Sequence, residues 1–142
     1  MIDTIIFDLD GTLLYTLEDL TDSVNYALQQ YDAPSRTIEE IIDFVGNGVY
    51  LLIKRALPSD VNDLTLNKCL NTFKEHYSNN MFNKTTPYDG VTELLTQLKS
   101  KNYKIGVLSN KFDSAVKKLC QTYFPNLIDA AIGQRDNIEP KP

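Results

Sequence analysis

Two aspartates separated by a single residue stand near the start of the chain. Asp8 and Asp10 follow an apolar run at residues 2–7 and directly precede Gly11. Two carboxylates this close repel one another unless a cation or a shared proton separates them. The spacing therefore indicates either a site that holds a cation or a proton, or a β-turn with two solvated aspartates, since Asp-Gly is common in turns.

The run that precedes these aspartates is rich in β-branched residues, which favours a strand. Its composition predicts a fully buried strand at residues 2–7, within a parallel sheet that has helices on both faces. Asp8 and Asp10 would then lie at the carboxyl end of the strand, where open α/β sheets place their ligands. Gly11 suits a turn whose backbone must come close to such a ligand.

Residues 16–80 contain successive helical patterns and no convincing strand. Thr16 with Asp19 predicts an N-cap pair for the first helix, and Thr37 with Glu40 predicts a capping box for the second. Residues 46–48 interrupt the pattern before a third helix, and a fourth helix follows at about residues 61–79.

From residue 85 the pattern changes to alternating helices and strands. It predicts a helix after Gly90, a strand at 104–108 that ends at Ser109, a helix capped by Asp113, and a strand at about 127–132. This alternation predicts an α/β fold with a doubly wound parallel sheet. We assign residues 1–14 and 85–142 to this core, and residues 15–84 to an inserted helical domain.

The whole pattern Asp-x-Asp-Gly-Thr-Leu, placed after a hydrophobic strand, resembles the first motif of the haloacid dehalogenase superfamily of phosphatases. The resemblance implies a Rossmann-like core with an inserted α-helical cap. It also implies that Asp8 is the nucleophile that forms an aspartyl-phosphate and that Asp10 is the general acid/base. Both aspartates would help to bind Mg2+, while Gly11 and Thr12 would contact the substrate.

Two further segments resemble other motifs of this superfamily. Ser109-Asn110-Lys111 could be an ordinary strand-to-helix turn, but it resembles the second motif, in which the Ser hydroxyl and the next backbone N–H bind a phosphoryl oxygen. Lys141 stands two positions from the end of the sequence, where a lysine is usually solvated. Its Pro-flanked setting resembles the third motif, whose lysine stabilises the transferring phosphoryl group. Lys111 could be merely solvated.

The break at Gly46, Asn47 and Gly48 could be a simple turn between helices. The surrounding residues resemble phosphoglycolate phosphatases, in which this loop of the cap helps to select the substrate. A small phosphorylated metabolite is therefore the expected substrate. Sugar-phosphate mutase and pyrophosphatase activities remain alternatives, although Leu20 occupies the position where such mutases usually carry a His.

A fourth motif, Gly-Asp-x-x-x-Asp, normally completes the magnesium site of this superfamily, and the sequence does not contain it. We therefore expect an incomplete chain with a weakened metal site, which could be inactive and bind only phosphate or a partner. The first strand would also lose a neighbour. We expect the exposed sheet edge to pair with another chain, in a homo-oligomer or by strand pairing.

The composition excludes several classes of partner. The 142 residues carry a formal net charge of −5, which argues against nucleic acid as a partner. No apolar run is long enough to span a bilayer, so we expect no membrane association.

Cys69 and Cys120 lack metal-ligand spacing, and we expect both to be free thiols in a reducing cytoplasm. His76 has no second His or Cys nearby and is expected on a helix surface.

Overall fold

The computed structural model describes residues 2–135 and 141. The chain divides into two compact units, one comprising Met1–Tyr15 with Thr86–Pro142 and the other comprising Thr16–Thr85. Asp136, Glu139, Pro140 and Pro142, which belong to the predicted third motif and the segment before it, lie outside the described residues. The helices and strands are, in chain order, β1 (Thr4–Phe7), β2 (Leu14–Tyr15), α1 (Leu17–Gln30), α2 (Ile38–Phe44), α3 (Val49–Ala56), α4 (Asp63–Asn80), β3 (Thr86–Pro87), α5 (Val91–Ser100), β4 (Lys104–Phe112), α6 (Asp113–Tyr123) and β5 (Ala130–Gln134).

A three-stranded parallel sheet forms the centre of the first unit, with the strand order β1-β4-β5. Phe7 pairs with Val107 and Leu108 pairs with Ile132, so all three strands end at the same edge. Helices α5 and α6 pack against β4, and the inward-facing Ile105 and Val107 are buried. The predicted α/β class with a parallel sheet is confirmed.

Strand β1 is shorter and more exposed than the sequence predicted. It spans Thr4–Phe7 instead of residues 2–7, and the side chain of Ile6 is 66% exposed. Ile6 pairs with Gly106, and Leu108 and Ile132 lie on the same sheet face, where both are also exposed. The prediction of a fully buried strand was wrong because β1 is an edge strand among the described residues and this face of the sheet is open.

The other two strands of the sheet also differ in their boundaries from the prediction. Strand β4 continues past Leu108 to Phe112, with a register irregularity between these two residues, and β5 begins at Ala130. Polar residues 109–111 do not resemble a buried strand, so the pattern ended β4 too early. Pairing of Phe112 with Gln134 supplies the backbone partner that the local sequence could not reveal.

A two-stranded antiparallel ribbon was not predicted at all. Leu14 of β2 pairs with Pro87 of β3, and Tyr15 pairs with Thr86. The rings of Tyr15 and Tyr88 meet edge to face at 6.1 Å. Strands of two residues are too short to produce a periodic pattern, and Pro87 is tolerated because it needs no further partner on its other side.

The second unit is a bundle of the four helices α1–α4, as the helical patterns predicted. Its core contains Val24, Leu28, Ile53, Phe73 and Tyr77, all fully buried. The predicted capping box at Thr37 and Glu40 is confirmed, since each side chain bonds the backbone N–H of the other residue. No helix among the described residues is long and apolar enough to cross a membrane.

Thr16 is the N-cap residue of α1, as predicted, but the predicted side-chain capping of this helix was wrong. Thr16 has φ −111° and ψ −3°, which is not the extended backbone of a typical N-cap, and its side chain makes no capping hydrogen bond. The buried carboxylate of Asp19 instead accepts hydrogen bonds from the backbone N–H groups of Lys84 and Thr85 and from the Thr85 hydroxyl. A distant segment therefore competes successfully with the helix terminus for this carboxylate.

Candidate active site

A tight turn after β1 places two carboxylates at the carboxyl edge of the sheet. The carbonyl of the buried Leu9 accepts hydrogen bonds from the backbone N–H groups of three residues, Thr12, Leu13 and Leu14. Gly11 has φ +79°, which only glycine adopts readily, and its N–H donates to the Leu14 carbonyl. The turn leaves Asp8 half exposed, with its Oδ1 accepting from the Leu9 N–H at 2.8 Å.

Three polar residues at the end of β4 are buried beside this turn. Ser109, Asn110 and Lys111 are each at most 9% exposed. Phe7 of β1 pairs with Val107 of β4. Asp8 and Ser109, which come shortly after these two residues, therefore lie at the same edge of the sheet. The Lys111 N–H donates to Ser109 Oγ at 3.1 Å, which fixes this hydroxyl relative to the backbone. Burial of polar groups is costly unless they form hydrogen bonds. This segment is therefore part of the buried core and not a solvated turn.

Two lysines stand against the two aspartates. Lys111 Nζ lies 3.3 Å from Asp10 Oδ1, and Lys141 Nζ lies 3.4 Å from Asp8 Oδ1. The opposite charges offset the repulsion expected between two adjacent carboxylates. The Lys111 side chain is only 3% exposed, so the alternative that it is merely solvated is wrong. Its identity was visible in the sequence, but its burial depends on the packing of β4.

Lys141 is held in place at both its backbone and its side chain. Its N–H donates to Asn110 Oδ1 at 2.7 Å, and its carbonyl accepts from Asn110 Nδ2 at 3.3 Å. Its Nζ also donates to the carbonyl of Leu108 at 2.9 Å. Lys141 therefore lies against the end of β4 and is not a solvated terminal lysine.

The start of α6 is anchored to β5 through Asp113. The predicted capping by Asp113 was wrong, because the N-cap residue is Phe112 and Asp113 is the first residue of the helix. Its Oδ1 accepts from the Gly133 N–H at 2.8 Å and from Lys117 Nζ. These bonds, the first of them above all, hold the pKa of the Asp113 carboxyl below its usual value. They fix the chain just after Lys111.

The Gly46-Asn47-Gly48 loop belongs to the helical unit and is braced from within it. Gly46 and Gly48 both have positive φ, at +111° and +94°. The guanidinium of Arg55 donates to the Phe44 carbonyl and to Asn47 Oδ1. The sequence pattern does not reveal this contact, because the conformation of the loop decides it. The role of the loop in substrate choice stays a prediction.

His76 and the two cysteines are packed against other residues of the chain in a way that suits a structural role. The His76 ring stacks on Tyr26 with centroids 4.1 Å apart, and its Nδ1 lies 2.8 Å from Ser23 Oγ. Burial raises the pKa of both Cys69 and Cys120 to about 11, which disfavours a nucleophilic thiolate. In the part of the chain that the structure describes, neither His76 nor the cysteines add to the candidate site at the carboxyl edge of the sheet.

The acidic groups at this edge fit a magnesium ion. Among the described residues no cluster of three or more His, Cys, Asp or Glu side chains could hold a metal. Asp8 and Asp10 nevertheless offer hard oxygen donors, and Mg2+ is commonly bound through one or two carboxylates together with water. Both side chains are partly exposed, which leaves room for water around a bound ion.

Comparison with known proteins agrees with this arrangement. Residues 5–142 match the family described as Haloacid dehalogenase-like hydrolase. The phosphoglycolate phosphatase of Pasteurella multocida is 34% identical over 124 residues, which cover 82% of this chain and 55% of that protein. The phosphoglycolate phosphatase of Cereibacter sphaeroides is 32% identical, and the match covers 97% of this chain and 65% of that protein.

A solved structure shows the same relationship. The crystal structure of a predicted phosphoglycolate phosphatase from Haemophilus somnus superimposes with a TM-score of 0.93 at 28% identity, covering 99% of this chain and 66% of that one. The chain thus spans between half and two thirds of the length of these relatives. The sequence match, the fold and the paired aspartates agree, and the chain belongs to the haloacid dehalogenase-like hydrolase family.

Proposed function

We propose that the protein to which this chain belongs is a magnesium-dependent phosphatase that hydrolyses a small, phosphoglycolate-like phosphate monoester. The observation that supports this most directly is that Asp8 and Asp10, at the edge of the sheet, each lie beside a lysine ammonium. Phosphoryl transfer needs a nucleophile, a proton for the leaving oxygen and positive charge around the phosphoryl oxygens. The relatives named phosphoglycolate phosphatases support the choice of substrate class.

In the proposed reaction Asp8 attacks phosphorus in line, and a bond forms between its carboxylate oxygen and phosphorus. The ester oxygen leaves with a proton from Asp10, so that the alcohol is released and Asp8 carries the phosphoryl group. Asp10, now a carboxylate, then removes a proton from water, which attacks phosphorus and releases inorganic phosphate and free Asp8. Dehalogenation releases halide, which needs no proton, so the presence of Asp10 favours phosphoryl transfer.

Ser109 and Lys141 would bind the phosphoryl oxygens through the whole cycle. The Ser109 hydroxyl is held by the Lys111 N–H, and the start of α6 nearby adds a partial positive charge. Asp8 and Asp10 would hold Mg2+, which supplies positive charge that neutralises the phosphoryl oxygens when it is bound.

The buried free thiols Cys69 and Cys120 support a reducing, cytoplasmic location.

The test is an assay of the 142-residue chain with phosphoglycolate, a sugar phosphate and pyrophosphate, each with Mg2+ and with EDTA. We expect Mg2+-dependent release of phosphate, greatest from phosphoglycolate. Asp8→Asn should abolish turnover, and Asp10→Asn should reduce it by about 10²–10⁴-fold, the usual contribution of a general acid/base. Asp3→Asn is the matched control, because this exposed carboxylate precedes β1 and accepts a hydrogen bond from the neighbouring Thr4 hydroxyl.

Each alternative has a distinct outcome in this assay. Preferred turnover of the sugar phosphate or of pyrophosphate would replace the substrate class and leave the roles of the aspartates intact. Full activity in both Asp8→Asn and Asp10→Asn would refute the assignments. Phosphate binding without turnover of any ester would identify this chain as an inactive fragment, in keeping with the share of the relatives that it spans.

A further inference from the structure

Asn110 contacts the backbone of Lys141 through both ends of its carboxamide. We propose that Asn110 is a positioning residue whose task is to hold Lys141 against Asp8. The sequence predicts that the backbone N–H of Asn110 binds a phosphoryl oxygen, which stays a prediction, and the structure shows in addition that the Asn110 side chain contacts Lys141. The catalytic consequence of this inference rests on the proposed function, but the positioning itself does not.

Lys141 connects Asn110 to Asp8, through its backbone on one side and its side chain on the other. Asn110 Oδ1 accepts from the Lys141 N–H at 2.7 Å, while Asn110 Nδ2 donates to the Lys141 carbonyl at 3.3 Å. This reciprocal pair fixes the backbone from which the lysine side chain extends. Lys141 Nζ then reaches the Leu108 carbonyl at 2.9 Å and Asp8 Oδ1 at 3.4 Å.

Burial indicates which partner does the positioning. Asn110 is 9% exposed and lies within β4 between Leu108 and Phe112, both of which pair with β5. The side chain of Lys141 is 32% exposed. A flexible lysine loses conformational freedom when it is held in one place, so a fixed backbone anchor lowers the cost of keeping the ammonium beside Asp8.

Amide hydrogen exchange of Lys141, measured by NMR on the full chain, tests the positioning directly. In Asn110→Ala the Lys141 N–H loses its acceptor, and we expect its exchange to accelerate by about fivefold or more, the effect of one ordinary hydrogen bond. Asn110→Asp keeps the acceptor oxygen and should retain most of the protection. Asn79→Ala is the matched control, since this exposed asparagine bonds a carbonyl of its own helix. Equal exchange rates in the wild type and in Asn110→Ala would overturn the proposal.

A double-mutant cycle on the rate of phosphate release tests the catalytic consequence. If Asn110 acts through Lys141, adding Asn110→Ala to Lys141→Met should lower kcat no further than Lys141→Met alone. Additive losses would mean that Asn110 contacts the substrate itself, and the positioning role would be rejected. An inactive wild-type chain would not affect the test of positioning, because the exchange measurement requires no turnover.

Discussion

Gly133 is the residue that allows β5 to pass the turn between β4 and α6. A Cβ atom built on it would lie 2.5 Å from the Lys111 carbonyl oxygen and 2.6 Å from Asp113 Cα. Both neighbours are backbone atoms, so no side chain can move aside to make room. The same N–H of Gly133 bonds the Asp113 carboxylate. A glycine far along the chain thus fixes the backbone that carries Lys111.

Gly133→Ala should therefore lower the free energy of unfolding by about 1–3 kcal/mol, the usual cost of overpacking. Urea denaturation followed by circular dichroism measures this change. Gly106→Ala is the matched control on the neighbouring strand, because its Cβ would meet Ile6 Cγ1 at an ordinary 3.6 Å. That variant should be neutral or more stable by up to about 1 kcal/mol, since alanine loses less entropy than glycine. Equal effects of the two substitutions would contradict the steric argument.

At the scale of whole elements, Asp19 joins the start of α1 to the segment that leaves the helical unit after α4. Its carboxylate is 2% exposed and accepts from the Lys84 N–H, the Thr85 N–H and the Thr85 hydroxyl. Buried charge is stable only when such bonds compensate for lost hydration. Lys84 also forms an ion pair with Asp22, but that pair is exposed to solvent.

Asp19→Ala leaves buried donors without an acceptor, and we expect a loss of about 2–3 kcal/mol in the free energy of unfolding. Asp22→Ala breaks the exposed ion pair with Lys84 and should cost at most about 1 kcal/mol. Thermal and urea unfolding of the two variants measure the difference. A loss in Asp22→Ala as large as that in Asp19→Ala would show that surface charge, and not the buried bonds, holds this junction.

For the molecule as a whole, the parallel sheet exposes both an edge strand and an apolar face among the described residues. Among the described residues no strand lies beyond β1, so one row of its backbone groups has no strand partner. Ile2, Ile6, Leu108 and Ile132 are exposed, and the last three of them share one sheet face. Unpaired edges and contiguous apolar patches favour association with another chain.

We expect the 142-residue chain to self-associate, and sedimentation velocity over a range of concentrations measures this directly. Ile6→Lys places a charge on the edge strand and should shift the distribution toward monomer. Leu64→Lys is the matched control, because Leu64 is 65% exposed, almost equal to Ile6 at 66%, but lies on α4. A monomeric wild type at all concentrations would contradict the prediction.

The sequence by itself determined the features that depend on neighbouring residues. The Asp-x-Asp-Gly turn, the capping box at Thr37 and Glu40, the helical patterns and the alternation of the core elements all arise from contacts within a few positions. A hydrogen bond from the Gly11 N–H to the Leu14 carbonyl, for example, needs no distant partner. The fold class and the position of the two aspartates could therefore be predicted.

Only the tertiary structure decided which distant groups meet these residues. Lys141 lies beside Asp8, and Lys111 lies beside Asp10. The carboxylate of Asp19 accepts hydrogen bonds from residues 84–85, and the sheet face that contains Ile6 is exposed. Spacing along a sequence cannot encode such outcomes, because they depend on strand order and on which segments are adjacent after packing. The sequence alone identifies the two aspartates as candidate catalytic residues, and long-range packing places a lysine ammonium beside each of them.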